Sequence, residues 1–576
     1  MKNVIRVRIF SFLPWMCLGL ILILATYSTA QYSHVSAQEA QTAEPTFTFS
    51  ALSASVKPDA KPFGLLLEPT RHLTADSQYF YRSAEGLQAL KNLGVSTLFY
   101  VVDRNNWRAL YDDISGAPQP YPAGIYPGEA VDIAKAIGAE LVPMLNVTLV
   151  CEHIPGTEYT SQNMTCEHAK AKDSVALVKL LKKETKKKGV VFERVVMGLE
   201  PYAGCAYWSN PRGVDCTIGN PKGQHRIGLP AEEYAKRVKA WAAAIHKFDP
   251  HIKIGAHIQT NTYFCQTGCN RSWSQVVLED AGQVIDFVLL HQYFRIPLPK
   301  PITEQQGQTY SYYQNQDDII KRKKERTGMP SVGRSEIVKW APANKKNMPI
   351  WYPEFYASIL DHKLDDSGTQ GELPTDEDFA SVRSSVYGGI ALGELYLDLL
   401  SPVGKGKNMR PGAARAAFHH LFSYVTFLAS FQPPHGPSQT MIFTPGWHVL
   451  QSLKGFAGKE WMGVKAKGIP VNSTGRPSLK AYAARAGKQI TVAVFNHETT
   501  LTSTVDLKFN NLQIRKVRVT RIGDSAASIL DFNNPITPDL IVPSLSALPK
   551  TQIKKWGIDN LAVGPHSVTV LTITLK

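Results

Sequence analysis

Beyond its first 25 residues the chain has no stretch apolar for long enough to cross a bilayer as a helix. No CxxC or HExxH pattern occurs, which removes the usual zinc frameworks, and neither a metal nor a cofactor is expected. No Gly-rich phosphate loop follows the first apolar run, which argues against an open, doubly wound nucleotide-binding sheet. Nucleic-acid-binding motifs are missing too, so no nucleic-acid partner is expected. Charged residues make up only 19% of the chain against 44% hydrophobic, a globular composition and not a disordered one. At 576 residues one core is too few, and two domains are the natural expectation.

What is present begins with a leader. Lys2, Arg6 and Arg8 precede an apolar stretch at about 10–25, and small residues follow. Ser28-Thr29-Ala30 and Val35-Ser36-Ala37 both fit a signal-peptidase site, so residues 1–37 read as a signal peptide and the mature protein as secreted or periplasmic. The alternative is an uncleaved anchor and a membrane-attached envelope protein; after cleavage no stable membrane insertion is expected. Export makes the cysteines intelligible: six follow Cys17, in the close pairs Cys151 with Cys166, Cys205 with Cys216 and Cys265 with Cys269. Local disulfides stapling loops are the expectation, although six cysteines allow fifteen connectivities. Four Asn-x-Ser/Thr sequons occur, at Asn146, Asn163, Asn270 and Asn472. The net charge of +15 falls to +12 without the three leader cations, which suits a polyanion such as a uronate or sulfated polysaccharide, or an anionic cell surface. The lysine-rich runs at 182–188 and 321–326 read more simply as solvated helix faces.

Residues 38–60 form a polar linker able to contribute an early strand around 46–56. Apolar runs then read as strands at 63–68, 95–103, 140–147, 191–200, 252–259, 286–293 and 348–356, with an eighth near 418–431. Helical patterns lie between them, at 84–93, 128–137, 174–188, 231–248, 273–284, 319–326 and 380–400. Strand and helix alternating eight times predicts parallel strands with helical crossovers, most simply a closed (β/α)8 TIM barrel over 61–459. Near residue 460 the pattern changes to alternating β-branched runs such as QITVAVFNHETT and SVTVLTITL, which predict a C-terminal antiparallel β-sandwich domain over 460–576.

In such a barrel the chemistry sits at the C-terminal ends of the strands. The polar residues there are Glu68, Asp103 with Arg104, Asn146, Glu200, His257 with Gln259, His291 with Tyr293, and Glu354, more than a purely structural barrel requires. Glu200 in VVMGLEPYAG and Glu354 in MPIWYPEFYA each end an apolar run and open into an aromatic loop. Paired carboxylates across a cleft are the machinery of glycoside hydrolysis, with carboxyl groups about 5–5.5 Å apart for retention and roughly 6.5–9.5 Å for inversion. A general acid needs shielding to hold its proton, which Pro201, Tyr202 and Trp208 offer Glu200; a nucleophile needs donors, which Tyr293 offers Glu354. Trp107, Trp208, Trp351 and Trp447 are candidate platforms for sugar rings. Glu68, Arg104, Asn146, Tyr202, His257, His291 and Tyr293 complete the candidate substrate-binding set.

Glu200 ending the fourth strand, Glu354 the seventh and His291-Gln292-Tyr293 the sixth together resemble clan A glycoside hydrolases. In that superfamily a retaining barrel carries its acid/base on strand four and its nucleophile on strand seven. A C-terminal β-sandwich that takes an N-terminal strand is similar to the α-L-arabinofuranosidase and β-xylosidase branches, and the resemblance spans about residues 60–576. It implies an exported retaining glycosidase acting on a polysaccharide or oligosaccharide, with Glu200 as acid/base and Glu354 as nucleophile. The chain departs from the pattern at Leu199, where most clan members carry an asparagine that touches the sugar 2-hydroxyl. That departure keeps a second reading open, a non-catalytic carbohydrate-binding protein on a glycosidase scaffold.

Overall fold

The alternation resolves into eight parallel strands, each followed in sequence by a helix. A computed structural model describes residues 44–67, 81–101, 125–153, 164–199, 201, 229–259, 271–297, 329–360, 385–418, 422–423, 426–427, 429–431, 441–471, 477–498, 501–524 and 540–576. After β1 (Thr46–Ala51) come β2 (Phe63–Leu67), β3 (Thr97–Val101) and β4 (Glu140–Leu145). A hairpin of β5 (Leu149–His153) and β6 (Met164–His168) is inserted before β7 (Arg194–Met197), β8 (Lys253–His257), β9 (Phe287–Pro297), β10 (Ile350–Leu360) and β11 (Arg415–Phe418). The barrel closes in the order β10-β11-β2-β3-β4-β7-β8-β9. Its helices are α1 (Ala84–Leu93), α2 (Pro127–Ile137), α3 (Ala171–Lys188), α4 (Ala231–Phe248), α5 (Trp273–Ala281), α6 (Pro330–Trp340), α7 (Val386–Leu400) and α8 (Pro445–Leu453). The hydroxyls of Ser83, Ser272, Ser385 and Thr444 cap α1, α5, α7 and α8 by accepting from backbone N–H groups of the first turn.

Two apolar populations hold the barrel. Outward strand residues pack under the helices, where α4 presents Tyr234, Val238, Trp241 and Ile245 at helical spacing. Inward residues fill the lumen: Leu66, Phe99, Val101, Val142, Met144, Val196, Phe287, Leu289, Trp351 and Ala417. Gly255 is an inward position left without a side chain, because a Cβ there would stand 2.3 Å from the Phe287 ring. The ring takes that space, and burying it is worth roughly 1.5–3 kcal/mol.

The eighth barrel strand lies earlier than the apolar pattern suggested. Arg415-Ala416-Ala417-Phe418 is short and half alanine, so it lacked the hydrophobic run that marks the other strands. The segment expected to supply it folds, in its described part, into the pairs β12 (Phe422–Ser423) with β13 (Thr426–Phe427) and β14 (Ala429–Phe431) with β15 (Met441–Phe443). The disulfide expectation is also corrected: no disulfide bond is present among the described residues. Cys151 and Cys166 stand directly opposite each other on β5 and β6. Cys205, Cys216, Cys265 and Cys269 lie outside the described residues.

The C-terminal strands are β16 (Glu460–Lys467), β17 (Leu479–Ala486), β18 (Gln489–Asn496), β19 (Ser503–Phe509), β20 (Ile514–Ile522), β21 (Ser544–Ser546), β22 (Ile553–Lys554), β23 (Gly557–Val563) and β24 (Ser567–Leu575). With β1 they make one ten-stranded sheet, ordered β21-β20-β24-β18-β17-β16-β1-β19-β23-β22. It curls into a sandwich-like shape around its own core, in which Phe49 of β1 stacks on Phe509 of β19 at 5.0 Å. The early strand around 46–56 is therefore a member of this sheet, antiparallel to β16 and parallel to β19.

Helix α7 is buried on nearly every side because the barrel takes one face and this sheet the other. Its two acidic side chains meet the sheet. Asp398 accepts from Lys480 Nζ at 2.9 Å and from the Tyr482 hydroxyl at 2.7 Å. Glu394, fully buried, contacts Lys480 Nζ at 2.9 Å and His497 Nε2 at 2.8 Å. Burial pushes the Glu394 carboxyl up, but Lys480 and His497 overcome it and hold the group below the ordinary carboxylate range. Burial likewise pushes Lys480 down, and Asp398 with Glu394 raises it above an ordinary lysine.

This cluster fixes a pH dependence. A depressed carboxyl stabilises the fold above its unfolded pKa, and the contribution is lost as pH falls through the folded value. A raised lysine stabilises below its unfolded pKa, and that contribution is lost as pH rises through its folded value. Breaking a buried pair costs about 3–5 kcal/mol, and the lower end applies because Lys480 is partly exposed and keeps Asp398. Glu394→Gln should therefore lower Tm most near neutral pH. The gap from the parent protein should close in strong acid, and calorimetry across pH that finds it constant would refute the ion-pair account.

Candidate active site

At the mouth of the barrel the decisive local feature is a bulge in β10. Trp351 pairs with Leu289 of β9, yet Glu354 pairs with His291, so three steps on one strand match two on the other. The partner on the other side repeats it, with Tyr352 opposite Ala416 and Phe355 opposite Phe418. Side chains alternate along a strand, so in a regular strand of these same residues Trp351 and Glu354, three apart, would point to opposite faces. With it they share the inward face, while Tyr352 and Phe355 both pack into the outer core under the helices. Pro353 lies in the bulge, a position where a missing N–H is tolerated.

Glu354 is 3% exposed, and its Oε2 lies 3.3 Å from Nδ1 of His291, whose side chain is equally buried. His257, fully buried at the end of β8, meets the His291 ring edge to face at 5.0 Å. Three neighbouring strands thus bring His257, His291 and Glu354 together at the mouth. The backbone of His257 is held by a residue that sequence reasoning passed over. Tyr234 of α4, wholly buried, accepts from the His257 N–H at 3.0 Å and donates its own proton to the Met197 carbonyl at 2.7 Å. Burial pushes the Tyr234 phenol far up, so it stays a donor. One hydroxyl therefore ties the end of β7 to the end of β8. Its only sequence signal was an aromatic at core spacing, which looks like any packed helix residue.

Glu200 lies outside the described residues, and so does the separation between the two carboxyl groups. The residues flanking Glu200 are described. Gly198 takes a left-handed φ of 80° and donates to the Leu145 carbonyl at 2.8 Å, turning the chain out of β7. Leu199 then packs against the apolar lumen cluster, and Pro201 is buried. Leucine at this position acts as hydrocarbon capping the barrel interior.

Asn146, at the end of β4, is buried, and its Oδ1 accepts from both the backbone N–H and the hydroxyl of Thr148 at 2.8 and 3.1 Å. That closes its sequon from within, so Asn146 is no acceptor for a glycan in the folded chain. Arg237 of α4 fixes the same turn by donating to the Val147 and Thr148 carbonyls.

Two tryptophans are not where a sugar platform would stand. Trp351 is 3% exposed in the lumen, against Phe99 and Phe287, with the Arg415 guanidinium 4.3 Å from its ring centre. It belongs to the floor of the barrel. There Arg415 donates to Thr97, Asp59 and Glu140, and Arg194 donates to the same Glu140 at 2.6 Å. Trp447 is buried in α8 against Phe443 at 4.5 Å and is core. Tyr293 lies on β9 beside Tyr356 of β10 by backbone register. Glu68, Arg104, Trp107, Tyr202 and Trp208 lie outside the described residues. Among the described residues no cluster of His, Cys, Asp and Glu is arranged to hold a metal ion. No described helix is long and apolar enough to cross a membrane, and the leader lies outside the described residues.

No family model matches the chain, and no curated protein does. Solved structures do. AbfB, a family 51 α-L-arabinofuranosidase from Bifidobacterium longum, is 14% identical with a TM-score of 0.62, covering 92% of this chain and 99% of that one. The GH51 arabinofuranosidase from Xanthomonas axonopodis pv. citri is 14% identical with a TM-score of 0.60, covering 92% and 100%. An α-L-arabinofuranosidase from Thermotoga maritima, solved with arabinose, is 16% identical with a TM-score of 0.57 over the same shares. At such identities the likeness is one of fold: a closed eight-stranded parallel barrel joined to a C-terminal sandwich-like sheet.

Proposed function

We propose that this protein is an exported retaining glycoside hydrolase acting on a polysaccharide or its oligosaccharides, with an acidic or sulfated polymer favoured by its positive charge. The observation that carries the reading is the bulge that turns Glu354 into the barrel mouth and sets it 3.3 Å from His291. A buried carboxylate at the mouth, where β10 leaves its pairing with β11, is costly unless it is used. In this reading Glu354 attacks the anomeric carbon while Glu200 protonates the departing glycosidic oxygen; Glu200 then takes a proton from the water that releases the sugar. His291 Nδ1, 3.3 Å from Glu354 Oε2, is placed to donate a hydrogen bond that orients the nucleophile. The shared fold with arabinofuranosidases supports the reading.

The roles separate by leaving group. Glu200→Ala should spare activated aryl glycosides far more than natural substrate, because a good leaving group needs no protonation, and azide should restore its deglycosylation. Glu354→Ala should abolish turnover of both. Rescue of Glu354→Ala with the same anomer would reverse the assignment, and full activity in both variants would end it.

A carbohydrate-binding protein that no longer cleaves is the second reading, favoured by Leu199 facing the apolar lumen in place of a sugar-binding amide. Binding without turnover by the unaltered protein would establish it. The packing of Leu199 is separately testable. Leu199→Asn pushes an amide against hydrocarbon and should cost about 1–3 kcal/mol in denaturant unfolding. A stability gain would show that the residue does not cap the lumen.

A further inference from the structure

The C-terminal sheet carries most of the chain's excess charge: residues 460–576 hold 15 Lys and Arg against 7 Asp and Glu, which is +8 of the total +15. The fold gathers much of it at one end. Where β19 ends and β23 begins, Lys508 pairs with Gly557, and Phe509 donates to the Trp556 carbonyl at 2.8 Å. Ile514, opening β20, donates to the Lys555 carbonyl at 3.1 Å, which brings Arg515 and Lys516 beside the Lys554-Lys555-Trp556 turn. Leu575, closing β24, donates to the Lys488 carbonyl at 2.8 Å and adds the β17–β18 turn. All these cations are exposed. Trp556 sits among them 42% exposed, with Lys555 Nζ 4.9 Å from its ring centre. The nearby acid Asp559 lies 3.8 Å from Lys554.

This end stands away from the cleft. Helix α7 crosses the sheet at one end of its strands, with Gly523 against Val386, His497 beside Glu394 and Lys480 beside Asp398. At the other strand ends, which Gln489, Leu575 and Ile514 share, Thr491 donates to the Gly455 carbonyl at 3.1 Å and Gly458 donates to the carbonyl of Asp59, the residue that meets Arg415 on the barrel floor, so the basic end lies at floor level.

We infer that this basic end is an accessory docking site for an anionic polysaccharide, with Trp556 stacking on a sugar face and the surrounding lysines and Arg515 meeting its carboxylates. An exposed indole ringed by cations matches a polymer that alternates apolar C–H faces with acidic groups. The choice of a glycan as occupant rests on the hydrolase reading. The site would hold the polymer while the cleft, on the other side of the barrel, works on another stretch of it.

The test uses the full chain carrying Glu354→Gln, so that turnover cannot consume the probe, and measures affinity for polygalacturonate at low salt. Lys554→Gln with Lys555→Gln should weaken binding about tenfold. Lys186→Gln with Lys187→Gln, the same charge loss on α3, should change it less than about twofold. Trp556→Ala should weaken it at every salt concentration, and neutral dextran should not bind there. Equal losses from both lysine pairs, or retention of full affinity by the Trp556 variant, would overturn the site. Tighter, tip-dependent binding of duplex DNA would assign the surface to a different polymer and also overturn it. In the chain with Glu354 intact, the tip variants should leave hydrolysis of a small aryl glycoside unchanged, which also checks folding. Tip-dependent binding with no hydrolysis of any glycan would sink the hydrolase reading and leave the docking site standing; hydrolysis without tip-dependent binding would do the reverse.

Discussion

A single inserted residue in β10 decides which way the barrel's seventh strand faces its contents. Strand periodicity is strict, so a slip of one residue exchanges the inner and outer faces for everything beyond it. Below the bulge, Trp351 looks into the lumen and Tyr352 into the helix layer; above it, Glu354 and Phe355 keep that same division. Were the same residues to run as a regular strand with no bulge, Phe355 would displace the carboxylate from the mouth, and Glu354 would be driven into the hydrocarbon under α7. The apolar core and the candidate site are therefore satisfied by one backbone irregularity.

The lumen beneath it is layered by chemistry. Hydrocarbon fills its middle, while the floor is a set of guanidinium and carboxylate groups around Glu140 and Arg415 with Trp351 laid over them. Charges this deep persist because each has partners: Glu140 is shared between two arginines, and Arg415 spreads its donors over Thr97, Asp59 and Glu140. Asp59 belongs to the connection from β1, so the floor also anchors the segment that joins the two sheets.

The alternation of strand and helix was legible because burial on both faces makes parallel strands continuous apolar runs. The sandwich strands were legible for the converse reason: β20, with Val517 and Val519 inward and Lys516 and Arg518 outward, writes its alternation plainly. β11 was misplaced because its small residues carry no hydrophobic signal. Glu354 could be picked out as a costly carboxylate after an apolar run. What its sequence did not declare was the mechanism that turns it inward, although Pro353 marks the spot. Trp351 and Trp447 read as platforms because a tryptophan's depth depends on which strand or helix face it lands on, and in both cases that was settled by partners distant in sequence. Tyr234 escaped notice for the same reason: its hydroxyl matters through two backbone groups that only the closed barrel brings to it.

The sheet is not contiguous in sequence. Its strand β1 is made before the barrel, while the neighbours that hold it, β16 and β19, come more than four hundred residues later. Closing so long a loop costs little more than closing a shorter one, since the penalty grows only logarithmically, but it cannot happen until the barrel has been synthesised. On the ribosome the early strand therefore waits as an unpaired edge, with Phe47 and Phe49 lacking their final partners. The order of synthesis makes the sheet the last part of the molecule to become complete, and a chain interrupted within the barrel would strand β1 without a place to go.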